Sequence, residues 1–472
     1  MKRHSDIPGQ LNLFNEAEAE QDPSLPEEDC IEEPSPRKKK ATHAELFKGL
    51  TVHKQVIPLA EEDKICPICG TPMERIGEEY VRRELVFTPA RCEIYEYYTE
   101  SYGCPNCKDG KGDTEKAVII KSKAAPALIG KGPASPSTVA WTIYQKYANG
   151  MPLYRQEKDW KEYGAAISRT TLANWIIYSA EHYFRPLYDY FHRQLLLREF
   201  LMADETRVQV LKEPGRSAES QSFMWLFRTG EDGQPTILLY GYTPTRSGSN
   251  AADFLNGFRG YLETDGYQGY NKVSGIKRCS CWAHIRRYFV DAIPKGKQLD
   301  YNQPAVQGVH YCDRLARLES TITSKCGTDY EKRKQMRLEK EKPVLEAFWA
   351  WVDSQHPTRN TRLDKALTYV KNRRETSMTY LEDGRCSFTN NLSENAIRPF
   401  TVGRKNWLFS DSVEGAQASA ITYTMVEMAK AHNLNIYGYL SYVLEQRPDE
   451  TWSDEQLAEL APWSEKLQTL KI

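Results

Sequence analysis

Three acidic residues of the sequence have the chemistry and setting of a metal-dependent catalytic centre. Asp204 follows the apolar segment that begins at Phe200, and Asp265 ends a second apolar segment just before Gly266. A buried carboxylate without a partner is costly, and two neighbouring carboxylates repel each other unless a divalent cation lies between them. With Glu394 as a third ligand from a helix, such a site could hold two Mg²⁺ ions for in-line phosphoryl transfer.

The acids alone do not single out this chemistry. The chain has 64 acidic residues, so three can be chosen at many spacings. An Asp or Glu at a strand end is also common as a turn or capping residue. The sequence around each acid must therefore decide.

Four cysteines in two close pairs predict a structural zinc site. The pairs are Cys66-Pro-Ile-Cys69 and Cys104-Pro-Asn-Cys107. Two residues between thiolates let both bind one ion from a tight turn, and two such turns complete a tetrahedral site. Redox pairs are the alternative, but they usually occur in a βαβ setting, which this sequence lacks. We expect a zinc module over 63–122, with 93–98 in a hairpin between the pairs.

A helix-turn-helix pattern is visible in 137–200. One helical segment ends near Gly164, and Ser168 can cap the next. The second helix would present three polar side chains to a DNA groove, as recognition helices do. These side chains are Arg169, Thr171 and Asn174. Any pair of packed helices gives the same pattern, so DNA binding and plain packing are equally supported.

The rest of the chain divides around an α/β layer. Three apolar segments, a helix, two further strands and a helix predict a sheet covered by helices over 199–410. A charged helical segment, 298–375, reads as an insertion into it. The preceding linker and helical module occupy 123–198, and further helices fill 411–472. Residues 1–62, acidic and then basic, have the composition of a disordered tail.

Four blocks of sequence lie around the candidate catalytic residues. They read MADET over 202–206, TDGYQGY over 264–270, CWAHIRR over 281–287, and NLSENAIRPF over 391–400 running on to GRKNW at 403–407. In this order they resemble the transposases of the IS66 family of bacterial insertion sequences. The cysteine pairs and the segment QLNLFNEAE at 10–18 also resemble that family.

The resemblance implies a DDE transposase with an RNase H-like (retroviral-integrase-like) core and a helical insertion before the last acid. Asp204, Asp265 and Glu394 would be the triad that binds Mg²⁺ or Mn²⁺. The implied reaction is cleavage at the element's ends, followed by attack of the freed 3′-OH on target DNA. The implied partners are the terminal inverted repeats, target DNA, further copies of the chain in a synaptic complex, and accessory proteins of the element.

Cys281 and His284 form a C-x-x-H pair of a kind that occurs in other DDE transposases. An auxiliary role in positioning DNA or the core and a packed strand–helix junction are equally supported. Basic side chains near the motif blocks could neutralise DNA phosphates, the alternative being solvated surface charge. They are Arg286, Arg287, Arg398, Arg404 and Lys405.

The formal net charge of −1 conceals a division along the chain. Residues 1–33 carry two basic and ten acidic residues, a charge of −8, which leaves +7 for 34–472. Near-neutrality therefore does not exclude DNA as a partner. With a mean hydropathy of −0.64 and no apolar run long enough for a spanning helix or signal core, we expect a cytoplasmic, nucleoid-associated protein.

Two questions stay open on the sequence. A transposase that transfers strands, a nuclease on the same core and a DNA-binding protein without catalysis all agree with it. Family members usually begin with a leucine-zipper-like helix before the QLNLFNEAE segment. Because that segment lies within the first twenty residues here, we expect that helix to be absent.

Overall fold

The computed structural model describes residues 92–103, 119–121, 126–130, 132–294 and 301–470. The predicted tail over 1–62 and all four predicted zinc cysteines, Cys66, Cys69, Cys104 and Cys107, lie outside these ranges. The predicted hairpin strand at 93–98 is wrong, because those residues are exposed and form no strand. A short antiparallel pair forms instead between β1 (Ser101–Gly103) and β2 (Ile119–Lys121).

Four helices lie in the described residues between 132 and the start of the sheet. Ser168 caps the third helix by accepting a hydrogen bond from the backbone N–H of Thr171, and Gly164 takes a positive φ of 87° in the preceding turn. The predicted helix, turn and capped helix are therefore present. The helices are α1 (Pro136–Ile143), α2 (Leu153–Glu162), α3 (Arg169–Ser179) and α4 (Arg185–Leu196), with π-helical turns after α1 and α3.

The central sheet joins an antiparallel half to a parallel half. Its main strands are β3 (Phe200–Lys212), β4 (Gln221–Thr229), β5 (Leu238–Thr243), β6 (Gly260–Thr264) and β7 (Ile276–Ser280). They lie in the order β5-β4-β3-β6-β7. The pairs among β3, β4 and β5 are antiparallel, whereas β3–β6 and β6–β7 are parallel. The sheet thus has β3 at its centre.

The expectation that an apolar strand ends at Asp204 is wrong. Strand β3 continues through Lys212, because buried Val208 and Val210 resume the alternating pattern after a more polar stretch. What ends near Asp204 is the pairing with β6, whose last register pair is Met202 with Glu263. Asp204 therefore lies where two parallel neighbours separate.

Helices connect the strands of the sheet and follow them along the chain. Helix α5 (Gly248–Phe254) connects β5 to β6, and α6 (Trp282–Ala292) follows β7. The next group is α7 (Pro304–Cys326), α8 (Tyr330–Lys340), α9 (Lys342–Ser354), α10 (Arg362–Lys371) and α11 (Arg374–Met378). No helix in the described ranges is long and apolar enough to cross a membrane.

The last elements return the chain to the sheet. They are α12 (Asn391–Trp407), β8 (Ser410–Ser412), α13 (Val413–Ala431), α14 (Ile436–Gln446), α15 (Asp454–Glu459) and α16 (Glu465–Leu470). Strand β8 pairs with the distal end of β3, placing Val210 opposite Ser410. Helix α13 packs along the edge strand β5, where the Thr424 hydroxyl accepts the Tyr240 N–H.

Two apolar cores flank the candidate site. One joins the sheet to α1–α4 and to α13–α16. The other joins β7 and α6 to α7, α9 and α10, and Trp282 packs within it against Phe348 and Phe388. Strand β3, which carries Asp204, contributes to both cores, whereas helix α12, which carries Glu394, packs in the first.

A buried arginine ties the inserted helices to the segment before α12. Arg337 is fully buried and donates to both carboxylate oxygens of Glu319 on α7. It also donates to the backbone carbonyls of Tyr380, Asp383 and Cys386. Because every one of these acceptors is satisfied by one guanidinium, its loss would leave a buried charge and several buried carbonyls unpaired.

We expect Arg337→Met to lower the free energy of unfolding by about 3–5 kcal/mol, the usual cost of removing one partner of a buried ion pair. Chemical denaturation measures the change. Arg374→Met is the matched control, since Arg374 and Asp353 are both about half exposed and their pair should contribute less than about 1 kcal/mol. Equal losses of unfolding free energy in the two variants would contradict the structural role of Arg337.

Candidate active site

Strand register places two of the predicted acids side by side. Met202 of β3 lies opposite Glu263 of β6, so Asp204 and Asp265 each follow that pair by two residues. Both side chains are partly buried, and that of Asp265 is 24% exposed. The backbone N–H of Tyr267 donates to Asp265 Oδ1 at 2.8 Å and fixes that carboxylate.

The third predicted acid is brought in by the start of α12. Asn390, which caps this helix, donates from its side-chain amide to the carbonyl of Ala203 at 3.1 Å. Arg228 of β4 donates to the carbonyl of Leu392 at 3.0 Å. Glu394 lies in the first turn of the same helix. Its carboxylate is thereby held over the strand that carries Asp204.

Asp204 lies near enough to Asp265 and Glu394 to interact with them electrostatically. Burial raises the pKa of Asp204 well above its ordinary value, and the negative charges of Glu205, Asp265 and Glu394 raise it further. One backbone N–H, from Glu205 at 2.9 Å, acts in the opposite direction. The negative charges of Asp265 and Glu394 therefore act on Asp204, and the three acids stay the predicted site.

The three side chains offer the ligand type that a divalent cation prefers. Carboxylate oxygens are the ligands that Mg²⁺ and Mn²⁺ prefer, and a cation would cancel the repulsion that raises the Asp204 pKa. Glu394 Oε1 is buried and has no hydrogen-bond partner among the described residues. Asp204, Asp265 and Glu394 would hold the ion, with the exposed side of Asp265 left open to solvent.

The sequence analysis missed a fourth acidic residue, Glu205, and its partners. Glu205 is adjacent to Asp204, so its side chain points to the other face of β3. That side chain is only 1% exposed, and its oxygens lie 2.5 Å from Arg246 and from the Tyr270 hydroxyl. Burial raises the pKa of Glu205, and these two partners oppose the shift. The alternation of side chains along the strand was the sequence signal that could have drawn attention to Glu205. No local pattern indicates Arg246 and Tyr270 as its partners.

Arg246 also reaches the candidate catalytic acids. Its guanidinium lies 3.9 Å from Asp265 Oδ2 and 4.1 Å from the centroid of the Tyr267 ring. Its side chain is 42% exposed. A positive charge therefore lies between Glu205, with which it is paired, and Asp265.

Cys281 and His284, the C-x-x-H pair, lie beside Glu394. Cys281 precedes α6 and His284 lies in its first turn, and their ligand atoms lie within 4.8 Å of each other and of a Glu394 carboxylate oxygen. The Cys281 thiol is buried, which raises its pKa to about 12, and its sulfur accepts the backbone N–H of Asn390 at 3.2 Å. His284 Nδ1, by contrast, has no hydrogen-bond partner among the described residues. The backbone contact expected of a merely packed histidine is therefore not found at that atom.

The predicted DNA-contacting residues of α3 differ in availability. Arg169 and Asn174 are exposed. Thr171 is half-buried, and its hydroxyl lies 2.9 Å from that of Ser168 within the helix cap. Two of the three side chains are thus free to reach a partner.

The other predicted basic residues lie on α6 and α12. Arg286 is exposed but pairs with Asp313 at 2.6 Å, and Arg287 is half-buried. On α12, Arg398 and Lys405 are exposed. Arg404 is partly buried, and burial together with nearby Arg207 lowers its pKa. Helix α12 therefore carries Glu394 at its start and three basic side chains farther along.

Comparison with known families covers most of the chain. Residues 131–418 match the model described as "Transposase IS66 family". Residues 63–108 match the zinc-finger binding domain of transposase IS66, and residues 424–463 match the IS66 C-terminal element. The zinc-finger match spans all four predicted zinc cysteines, which confirms the class of that module.

Two relatives from Sinorhizobium fredii (strain NBRC 101917 / NGR234) are similar over nearly the full chain. The uncharacterized protein y4qI is 27% identical over 436 residues, which cover 89% of this chain and 77% of y4qI. The uncharacterized protein y4jD is 26% identical over 418 residues, which cover 86% of this chain and 79% of y4jD.

These matches, together with the acidic cluster on the sheet, define the class of the protein as an insertion-sequence transposase. Within that class, the chain belongs to the IS66 family.

Asp204→Asn should stabilise the metal-free protein by about 1–2 kcal/mol at neutral pH, because it removes a repelled, desolvated charge. The pKa of Asp204 is raised in the folded state, so ionisation weakens the wild-type fold as pH rises from about 4 through that higher value. The two proteins should therefore have equal stability below about pH 4 and diverge above it.

Thermal melting across pH, in the presence of a chelator, tests this expectation. Asp313→Asn, at an exposed ion pair with Arg286, is the control and should give no gain. Added Mg²⁺ should raise the melting temperature of the wild type more than that of Asp204→Asn. A melting temperature that falls in Asp204→Asn without metal would contradict the repulsion.

Proposed function

We propose that this chain is a DDE transposase that cuts the ends of its element and joins the freed 3′-OH to target DNA. Asp204, Asp265 and Glu394 hold two Mg²⁺ or Mn²⁺ ions in this proposal. The observation that carries it is the convergence of these three acids where β3 and β6 separate, in a chain of a transposase family.

The sheet supports the RNase H-like core that the family resemblance implies. An antiparallel meander, β3-β4-β5, is followed by two strands added in parallel on the other side of β3. The first and fourth strands in chain order are therefore neighbours, and they carry the first two acids. The third acid comes from the helix that follows the inserted helices.

The residues of the chain have distinct tasks in this mechanism. The bound ions supply activation of the attacking oxygen and stabilisation of the leaving oxygen. Asn390 keeps Glu394 over β3, and the Tyr267 N–H orients Asp265. Arg246 pairs with Glu205 and so partly neutralises the charge beside Asp204. Such fixed positions keep the reacting groups aligned without rearrangement during the reaction.

DNA is the substrate class that the surrounding residues suit. Basic side chains on α12 can neutralise phosphates that the acids would otherwise repel. Arg169 and Asn174 on α3 are available for groove or backbone contacts. Cys66, Cys69, Cys104 and Cys107 would hold the zinc ion of the finger. We further propose assembly of several copies on the two element ends, at the nucleoid.

Labelled element ends incubated with the protein and Mg²⁺ test the proposal. The wild type should cleave and join, whereas Asp204→Asn, Asp265→Asn and Glu394→Gln should each lower the cleavage rate by at least about 1,000-fold, because each removes an ion ligand. Glu382→Gln is the control, since Glu382 pairs with Lys277 on the exposed surface and should leave the rate unchanged.

The same assay separates the two alternatives. Cleavage without joining would identify a nuclease, and binding without cleavage would identify a DNA-binding protein. Either result in the wild type would overturn strand transfer as the function. Full cleavage by all three acid variants would overturn the triad.

A second prediction concerns α3. Arg169→Ala should weaken binding to element ends and reduce the slope of log K against log salt concentration by about one, as expected for one lost phosphate contact. Arg193→Ala is the control, because Arg193 is equally exposed but pairs with Asp454. Binding isotherms at several salt concentrations measure both. Identical slopes for Arg169→Ala and wild type would remove α3 from the DNA interface.

A further inference from the structure

We propose that Cys281, His284 and Glu394 form a transition-metal site, suited to Zn²⁺, that shares Glu394 with the catalytic cluster. The site goes beyond the proposed reaction, which uses oxygen ligands and Mg²⁺ or Mn²⁺. Occupancy by Zn²⁺ would engage Glu394 and so oppose its use in catalysis.

The spacing of the ligand atoms suits such an ion. The three side chains offer one sulfur, one nitrogen and one oxygen, all within 4.8 Å of one another. A tetrahedral zinc site with bonds of about 2.0–2.3 Å keeps its ligand atoms about 3.3–3.6 Å apart. His284 Nδ1 and Glu394 Oε1 are separated by 3.7 Å, so this pair needs a shift of only a few tenths of an ångström.

Two of these atoms are otherwise unsatisfied. His284 Nδ1 and Glu394 Oε1 are both buried, and neither has a hydrogen-bond partner in the part of the chain that the structure describes. Their separation is too long for a hydrogen bond between them. Buried polar atoms are nearly always paired, so two that face each other across this gap call for a shared partner.

The elements that carry the ligands are already fixed. Cys281 and His284 are three residues apart at the beginning of α6, so their side chains share one face of the helix. Asn390 contacts the Cys281 sulfur through its N–H and the Ala203 carbonyl through its side chain. The same residue therefore joins the start of α6, the start of α12 and β3.

The donor types select the metal. Thiolate and imidazole ligands favour Zn²⁺ and Co²⁺ over Mg²⁺. Three protein ligands leave a fourth position for water, as in open zinc sites. Binding would displace the proton of the buried Cys281 thiol, because the thiolate is the ligand form.

Co²⁺ titration of the full chain tests the site without reference to catalysis. One equivalent of Zn²⁺ per chain is added first, which the four-thiolate finger takes in preference to the open three-ligand site, so that the added Co²⁺ reports on further sites. Wild type should bind about one Co²⁺ and develop thiolate-to-Co²⁺ absorption in the near ultraviolet. Cys281→Ser should lose this absorption, and His284→Ala should weaken binding at least tenfold.

Cys279→Ser is the matched control, since Cys279 is equally buried at the end of the same strand but is not a proposed ligand. It should bind Co²⁺ as the wild type does. Circular dichroism and melting temperature establish that each variant is folded. Unchanged Co²⁺ absorption in folded Cys281→Ser, or no added Co²⁺ in the wild type, would overturn the site.

A second readout links the site to the proposed function and can fail separately. Micromolar Zn²⁺ should inhibit Mg²⁺-dependent cleavage by the wild type and should inhibit Cys281→Ser at least tenfold less. If the wild type binds Co²⁺ but does not cleave DNA, the metal site stands and the proposed function fails. If cleavage occurs and Co²⁺ does not bind, the site fails alone.

Discussion

Repulsion among carboxylates is the constraint on which the described structure depends. Asp204 is held near Asp265 and Glu394 although burial disfavours its ionisation and their negative charges disfavour it further. A fold does not maintain such a cluster without strong contacts elsewhere. The parallel register of β3 and β6 and the cap of α12 supply those contacts, and the acids themselves do not. The positions of the three acids are therefore determined by the strands and the helix that carry them, and their charges suit a cation.

The contacts that hold the acids in place extend to distant parts of the fold. Asn390 connects α12 to β3 and to the start of α6. The segment just before Asn390 is held in turn by Arg337, whose carbonyl acceptors include Asp383 and Cys386. The inserted helices thus act on the cluster through this segment, although they contribute none of its acids. An insertion of this kind is part of the scaffold of the site as well as a candidate surface for partners.

The sequence was informative where local chemistry decides the structure. The helix cap at Ser168 and the succession of strands along the chain followed from composition and spacing, because caps and alternation act over a few residues. The motif blocks singled out the three acids from many. Strand length beyond Asp204 was misjudged, since only the tertiary setting keeps Val208 and Val210 buried after a polar stretch. Asn390 and the Glu205–Arg246 pair depend on contacts across 41 to 187 residues, which no local pattern encodes.

Helix α12 has a fixed length because both of its ends are attached to one strand. Asn390 binds at Ala203, and β8, directly after the helix, pairs at Val210. Seventeen helical residues span about 25 Å, and the seven residues of β3 between these attachments span about 23 Å. One inserted or deleted residue would move later side chains by about 1.5 Å and rotate them by about 100°. Evolution can therefore change the surface of this helix by substitution, while its residue count is set by the strand beneath it.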